Sequence, residues 1–116
     1  MAVKRIVANI ATPEPGLAAA FYEGILGLRV AMDQGWIITF VADGLAAPQV
    51  SFAAQGGAGT SVPDLSVEVD NLDEVYRRAV AAKLCIEYGP VAEPWGVRRF
   101  FVHDPFGRLV NILAHE

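Results

Sequence analysis

The sequence predicts an α+β fold in which two pseudo-symmetric βαβββ modules build a cupped mixed sheet. Three observations carry this expectation. Short runs of β-branched and aromatic residues alternate in apolar and polar character and are separated by Gly, Pro and Asp turns. That pattern is interrupted twice by an apolar stripe at helical spacing. It then restarts, with Val7 and Asp64 at matching positions about 57 residues apart. The length of 116 residues makes one domain over 1–116, with module one at about 1–55, a linker at 56–61 and module two at about 62–116.

In the first module, residues 5–12 read as a strand, Ile6, Ala8 and Ile10 opposing Val7, Asn9 and Ala11. Thr12-Pro13-Glu14-Pro15-Gly16 then starts a helix over about 15–25, in which Leu17, Phe21, Ile25 and Leu28 form the inward stripe. Leu28–Met32 and Trp36–Val41 flank an Asp33-Gln34-Gly35 turn and predict a hairpin. Gln49–Ala54 makes a fourth strand, and the polar, Gly-rich residues 55–61 make a linker.

The second module repeats the order. Asp64–Val69 is a strand with Leu65, Val67 and Val69 on one face and Asp64, Ser66 and Glu68 on the other. Asn71 and Glu74 have capping-box spacing and start a helix over about 72–82, with Leu72, Val75, Tyr76, Ala79 and Val80 on its apolar side. Strands follow near 85–91, 97–103 and 108–114. Asp104-Pro105-Phe106-Gly107 between the last two has the chemistry of a hairpin turn with Gly at a left-handed position.

Composition excludes several functional classes. A net charge of −4 with no basic stripe argues against nucleic acid. No stretch approaches a membrane span and the amino terminus has no long apolar signal core, so a cytoplasmic location is expected. The single cysteine, Cys85, excludes an intrachain disulfide and a multi-thiolate zinc site, and its apolar neighbours predict a buried structural thiol.

If each helix covers the apolar side of its own strands, the opposite faces carry Val7, Asn9, Gln49, Ser51, Asp64, Ser66, Glu68, Asn111 and Leu113. Mixed polar and apolar chemistry of this kind suits a cup that holds a small molecule. Trp36, Phe40, Trp95 and either Phe100 or Phe101 come from hairpins that would rim it, and flat rings suit planar or cationic ligands. Strand parity alone leaves Phe100 and Phe101 open, and Phe101 is the one assigned to the ligand. A desolvated Asp64, ahead of Glu68, is the candidate general base if the cup catalyses. His103, beside the turn, reads as a capping or solvent-facing residue. No G-x-S-x-G elbow or phosphate-loop context is present.

Phe21-Tyr22 with Gly24-Ile25-Leu26-Gly27-Leu28, the Val69-Asp70-Asn71-Leu72-Asp73 helix start and Asp104-Pro105-Phe106-Gly107 resemble, in order, motifs of the vicinal oxygen chelate superfamily. This superfamily includes glyoxalase I, bleomycin-resistance proteins and extradiol dioxygenases. The resemblance implies the glyoxalase/bleomycin-resistance/dioxygenase fold and a homodimer. In metal-using members, four ligands come from the first and fourth strand of each module. By position these become Val7, Ser51, Asp64 and Asn111, of which only Asp64 is a good oxygen donor. The expectation is therefore a cup without a metal or other cofactor that sequesters a small, cationic or aromatic ligand, as drug-binding members do. The alternative is a lyase, isomerase or dioxygenase-like enzyme that uses Asp64 with a metal completed by water, substrate or the partner chain. A vestigial cup in a regulatory module is the third possibility.

Overall fold

The structure, a computed structural model, describes residues 7–44 and 51–116. The second module forms in full. Strand β3 (Leu65–Glu68), helix α2 (Leu72–Ala81) and strands β4 (Ile86–Ala92), β5 (Val97–His103) and β6 (Leu109–His115) follow one another in the chain. The first module contributes helix α1 (Ala19–Tyr22) and the hairpin β1 (Arg29–Asp33) and β2 (Ile38–Val41). The result is an α+β fold with a mixed four-stranded sheet ordered β3-β6-β5-β4. β3 runs parallel to β6, and the other pairs are antiparallel.

Alternation in the sequence becomes two chemically distinct sheet faces. Leu65, Val67, Val110, Ile112, Phe100 and Val102 point to α2 and form the core with Leu72, Val75 and Ala79. Phe100 and Ile112 are fully buried, and burying each such side chain contributes about 1.5–3 kcal/mol. The ring of Tyr76 meets Phe100 edge-on at 5.2 Å. Phe100 is thereby assigned to the helix side and Phe101 to the outward side. α2 begins at Asn71, whose side chain accepts from the Glu74 N–H at 3.1 Å. The Glu74 carboxylate does not return the bond of a capping box; it pairs with Arg77 and Arg78, which hold it below the ordinary carboxylate range.

Several expectations need correction. The helix predicted over 15–25 is a 3-10 turn at Pro15–Ala18 followed by the short α1, and Leu17 is 52% exposed while Phe21 is buried. Val80 is half exposed, because it lies past the edge of the stripe set by Leu72, Val75 and Ala79. Cys85 is exposed, since Leu84 and Ile86 on either side turn inward and leave it on the opposite side of the chain. Residues 7–12 and 51–54 form no strand. Alternation makes a strand only where a ladder partner exists, and these residues have none among the described residues.

The hairpin between β5 and β6 joins the two modules. Asp104 N–H donates to the Arg108 carbonyl and Gly107 N–H to the Asp104 carbonyl, with Gly107 at φ +77°. One oxygen of the Asp104 carboxylate accepts from the Phe106 and Arg108 N–H groups, both at 2.8 Å. The other accepts from the Tyr22 hydroxyl of α1 at 2.8 Å. Burial, and then the Asp104 carboxylate, push the Tyr22 phenol above its ordinary value, so Tyr22 remains a neutral donor. Tyr22 in turn meets Phe21 edge-on at 4.9 Å and Phe40 of β2 in a tilted contact at 5.9 Å.

Removing this buried acceptor is therefore costly. Asp104→Ala leaves three donors unmet and is expected to lower unfolding free energy by about 2–4 kcal/mol, whereas Tyr22→Phe costs about 1 kcal/mol. Urea unfolding of the two variants and their double mutant measures this, and a coupling energy near zero between them contradicts the assignment.

Candidate functional site

The sheet face turned away from α2 is the candidate site. Register places Ser66 opposite Asn111 and Glu68 opposite Leu113 across the parallel pair. It places Phe101 opposite Asn111 and Arg99 opposite Leu113 across the antiparallel pair. Ser66, Asn111 and Phe101 thus form a row across β3, β6 and β5. The Asn111 amide donates to the Ser66 hydroxyl at 3.1 Å. Its carbonyl oxygen is buried and has no hydrogen-bond partner among the described residues. Asn111 is only 7% exposed, while Ser66, toward the β3 edge, is exposed.

Beside this row lies a group of residues that sequence reasoning missed. The Arg99 guanidinium is buried and pairs with Glu93 at 2.7 Å. It also donates to the carbonyls of Gly56 at 2.7 Å and Gly57 at 3.2 Å. Three rings surround it, with Phe101 at 4.8 Å, Trp95 at 5.1 Å and Tyr88 at 5.4 Å from its central carbon. The Tyr88 hydroxyl donates to Glu93 as well, at 3.1 Å. Residues 56–57 of the predicted flexible linker are therefore fixed to the sheet. At Gly57, φ is +88°, and a Cβ there would lie 3.0 Å from the Trp95 ring and 3.1 Å from Arg99, so glycine is required for this approach. One sequence signal could have found the group. Glu93-Pro94-Trp95-Gly96 has the same acid-Pro-aromatic-Gly order as Asp104-Pro105-Phe106-Gly107, and its turn closes with the same backbone bonds.

The predicted site residues divide into two sets. Asp64, Ser66, Glu68, Phe101, Asn111 and Leu113 share the outward face, and Trp95, half exposed, sits at its β4–β5 end over Arg99. Val7, Asn9 and Ser51 are exposed and lie on no strand, so strand parity does not carry them to that face. Trp36 lies in the β1–β2 turn and is 74% exposed. Gln49 lies outside the described residues. Asp64 accepts from the Leu109 N–H at 3.2 Å and stands 4.0 Å from Arg108, which gives it a structural task at the start of β3. The four positions that the resemblance implies for a metal have a donor set that fits one poorly. Valine has no donor, Ser51 and Asn111 offer only neutral oxygens, and Asp64 alone offers an anionic one.

The two histidines pair with carboxylates at the margins of this face. His115 meets Glu68 at 2.7 Å, and His103 meets Glu87 at 2.9 Å. The bond to Glu87 raises the His103 pKa above its ordinary value, aided by the Gly107 carbonyl and the charges of Glu87 and Asp104.

Two expected outcomes follow from these contacts. Arg99→Met strands the buried Glu93 carboxylate and is expected to destabilise the chain by about 3–5 kcal/mol. Arg99→Lys recovers only part of this, because an ammonium cannot match the planar fork to a carboxylate and two carbonyls; urea midpoints report both. For His103, a raised folded pKa means stabilisation is complete below roughly pH 6.5 and is lost as pH rises through the folded value. The urea midpoint should fall between about pH 6 and about pH 8, and Glu87→Gln should flatten that slope.

Comparison with known proteins agrees with this architecture. The structure superposes on TnmS3, an antibiotic binding protein from Streptomyces sp. CB03234, with a TM-score of 0.67 and 18% identity over 100% of this chain and 97% of that one. It superposes on TioX from Micromonospora sp. ML1 with a TM-score of 0.64 and 22% identity over 96% and 95% of the two chains. Lactoylglutathione lyase from Agrobacterium tumefaciens gives 0.64 and 20% over 97% and 92%. At these identities the likeness is one of fold. No curated protein matches the sequence. Residues 4–112 match the family model of the Glyoxalase/Bleomycin resistance protein/Dioxygenase superfamily, and the chain belongs to that superfamily.

Proposed function

We propose that the protein binds a small planar molecule against the outward sheet face and releases it unchanged, without a metal. The observation that carries this reading is the chemistry of that face. The exposed Ser66 hydroxyl, held by the buried Asn111 amide, shares that face with the half-exposed Trp95 ring, while Phe101 is fully buried and backs Arg99. Aromatic surface beside a few fixed polar groups favours orientation and contact area over bond making. The donor set at positions 7, 51, 64 and 111 supports binding over metal-assisted chemistry, since it supplies one carboxylate and no imidazole. A structural neighbour described as an antibiotic binding protein supports the same class of activity on this fold. The role is then sequestration of a drug or metabolite, and the active form is a homodimer, which would protect the edges of the β1–β2 hairpin and of β3 and β4 that are unpaired among the described residues.

Binding is read through tryptophan. In a Trp36→Phe background, planar aromatic antibiotics and metabolites are screened in the presence of EDTA for a rise in melting temperature. The expected hit gives a saturable change in Trp95 fluorescence, loses its melting-temperature rise in Trp95→Ala, and is recovered chemically unchanged. A hit that binds only with nickel, zinc, manganese or iron, or that is converted, overturns the proposal.

A further inference from the structure

A cleft of about 160 Å³ lies between α1 and the end of α2, where the two modules meet. Ala20, Phe21 and Ile25 line it from the first module, and Ala82, Leu84 and Pro105 from the second. We infer that this cleft is a second binding site, apart from the outward face, for a neutral apolar ring about the size of benzene.

The walls decide the chemistry. None of the six side chains can donate or accept a hydrogen bond. The backbone N–H groups of Ile25, Ala82 and Leu84 are already bonded, to the carbonyls of Phe21, Arg78 and Ala79. Arg78, which reaches the wall by donating to the Ile25 carbonyl at 3.2 Å, pairs with Glu74. Asp104, next to Pro105, is met by Tyr22 and by its own turn, and Lys83, between two lining residues, is exposed to water. A polar ligand atom inside the cleft would give up its water and find no partner. An apolar cavity of about 150 Å³ stays dry and takes benzene, so size and chemistry agree.

Two short side chains keep the cleft open. Ala20 on α1 and Ala82 just past α2 are exposed, as is Pro105, and mark the side that meets solvent. Phe21 is fully buried and closes the other side. The occupant is a small molecule and not a protein surface, because six residues fall far short of the roughly 20–30 that each partner gives to a stable interface. A ring seated here touches both modules beside the Tyr22–Asp104 bond, and so favours their docked arrangement.

Benzene is the probe, titrated into the full chain and followed by methyl NMR. The polar control is 1,4-dioxane, a ring of similar size whose ether oxygens would lose water. Benzene is expected to give saturable shifts of the Ile25 and Leu84 methyls, with nuclear Overhauser effects from its protons to both. Dioxane is expected to bind at least tenfold more weakly. Ala20→Leu and Ala82→Leu each add atoms to the cleft at an exposed position, and each is expected to weaken benzene binding at least tenfold. Shifts that rise without saturating, no Overhauser effect to either methyl, dioxane equal to benzene, or benzene affinity unchanged in both variants overturns the inference. The cleft shares no residue with the outward face, so either result leaves the reading of that face standing.

Discussion

A carboxylate taken out of water must be surrounded by donors, and Asp104 shows how much structure follows from meeting that demand. Its oxygens face two backbone N–H groups of its own turn and the Tyr22 hydroxyl of the other module. The turn bonds fix where β6 starts, and hence the register that sets Asn111 against Ser66 and Phe101. The Tyr22 bond fixes α1, which carries Phe21 into the core and brings Phe40 of β2 against the same ring. One buried charge thereby couples strand register to the docking of the first module.

The same turn chemistry is used a second time with a longer acid. Glu93 begins Glu93-Pro94-Trp95-Gly96, and its N–H and carbonyl close the β4–β5 turn as those of Asp104 close the β5–β6 turn. With one more methylene, the Glu93 carboxylate reaches past the turn to Arg99. The demand for compensation then passes to a guanidinium, which takes in three rings and two carbonyls of residues 56 and 57. Buried ion pairs of this kind add little net stability over an apolar core, but breaking one is expensive. Their effect is to fix geometry, here that of Trp95 and of the residues between the modules.

How much of this was legible in the sequence varies along the chain. The element bounds of the second module were read to within a residue or so, because turn chemistry separates its apolar runs and each strand has a ladder partner. Residues 5–12 and 49–54 show similar alternation, yet the described parts of both are irregular and mostly exposed, since periodicity records an amphipathic preference and not a ladder. Phe100 and Phe101 could not be separated by composition, both being aromatic on one strand; the contact of Tyr76 with Phe100 separates them. Cys85 was misread because a short apolar run looks the same whether it is buried throughout or on alternate residues. Arg99 and Glu93 were missed because charged residues are ordinarily solvated; the repeated acid-Pro-aromatic-Gly order points to Glu93, but the burial of the pair depends on the Gly56 and Gly57 backbone carbonyls that meet Arg99.

The outward face is ordered by the same register. The Arg99–Glu93 pair has its bonds complete, so it resists rearrangement and fixes the residues it touches. Ser66 and Asn111 are bonded to one another across the parallel pair. Their position is set by the pairing of β3 and β6, which begins at the hairpin that Asp104 organises. Order at the face and stability of the turn are in this way consequences of one strand register.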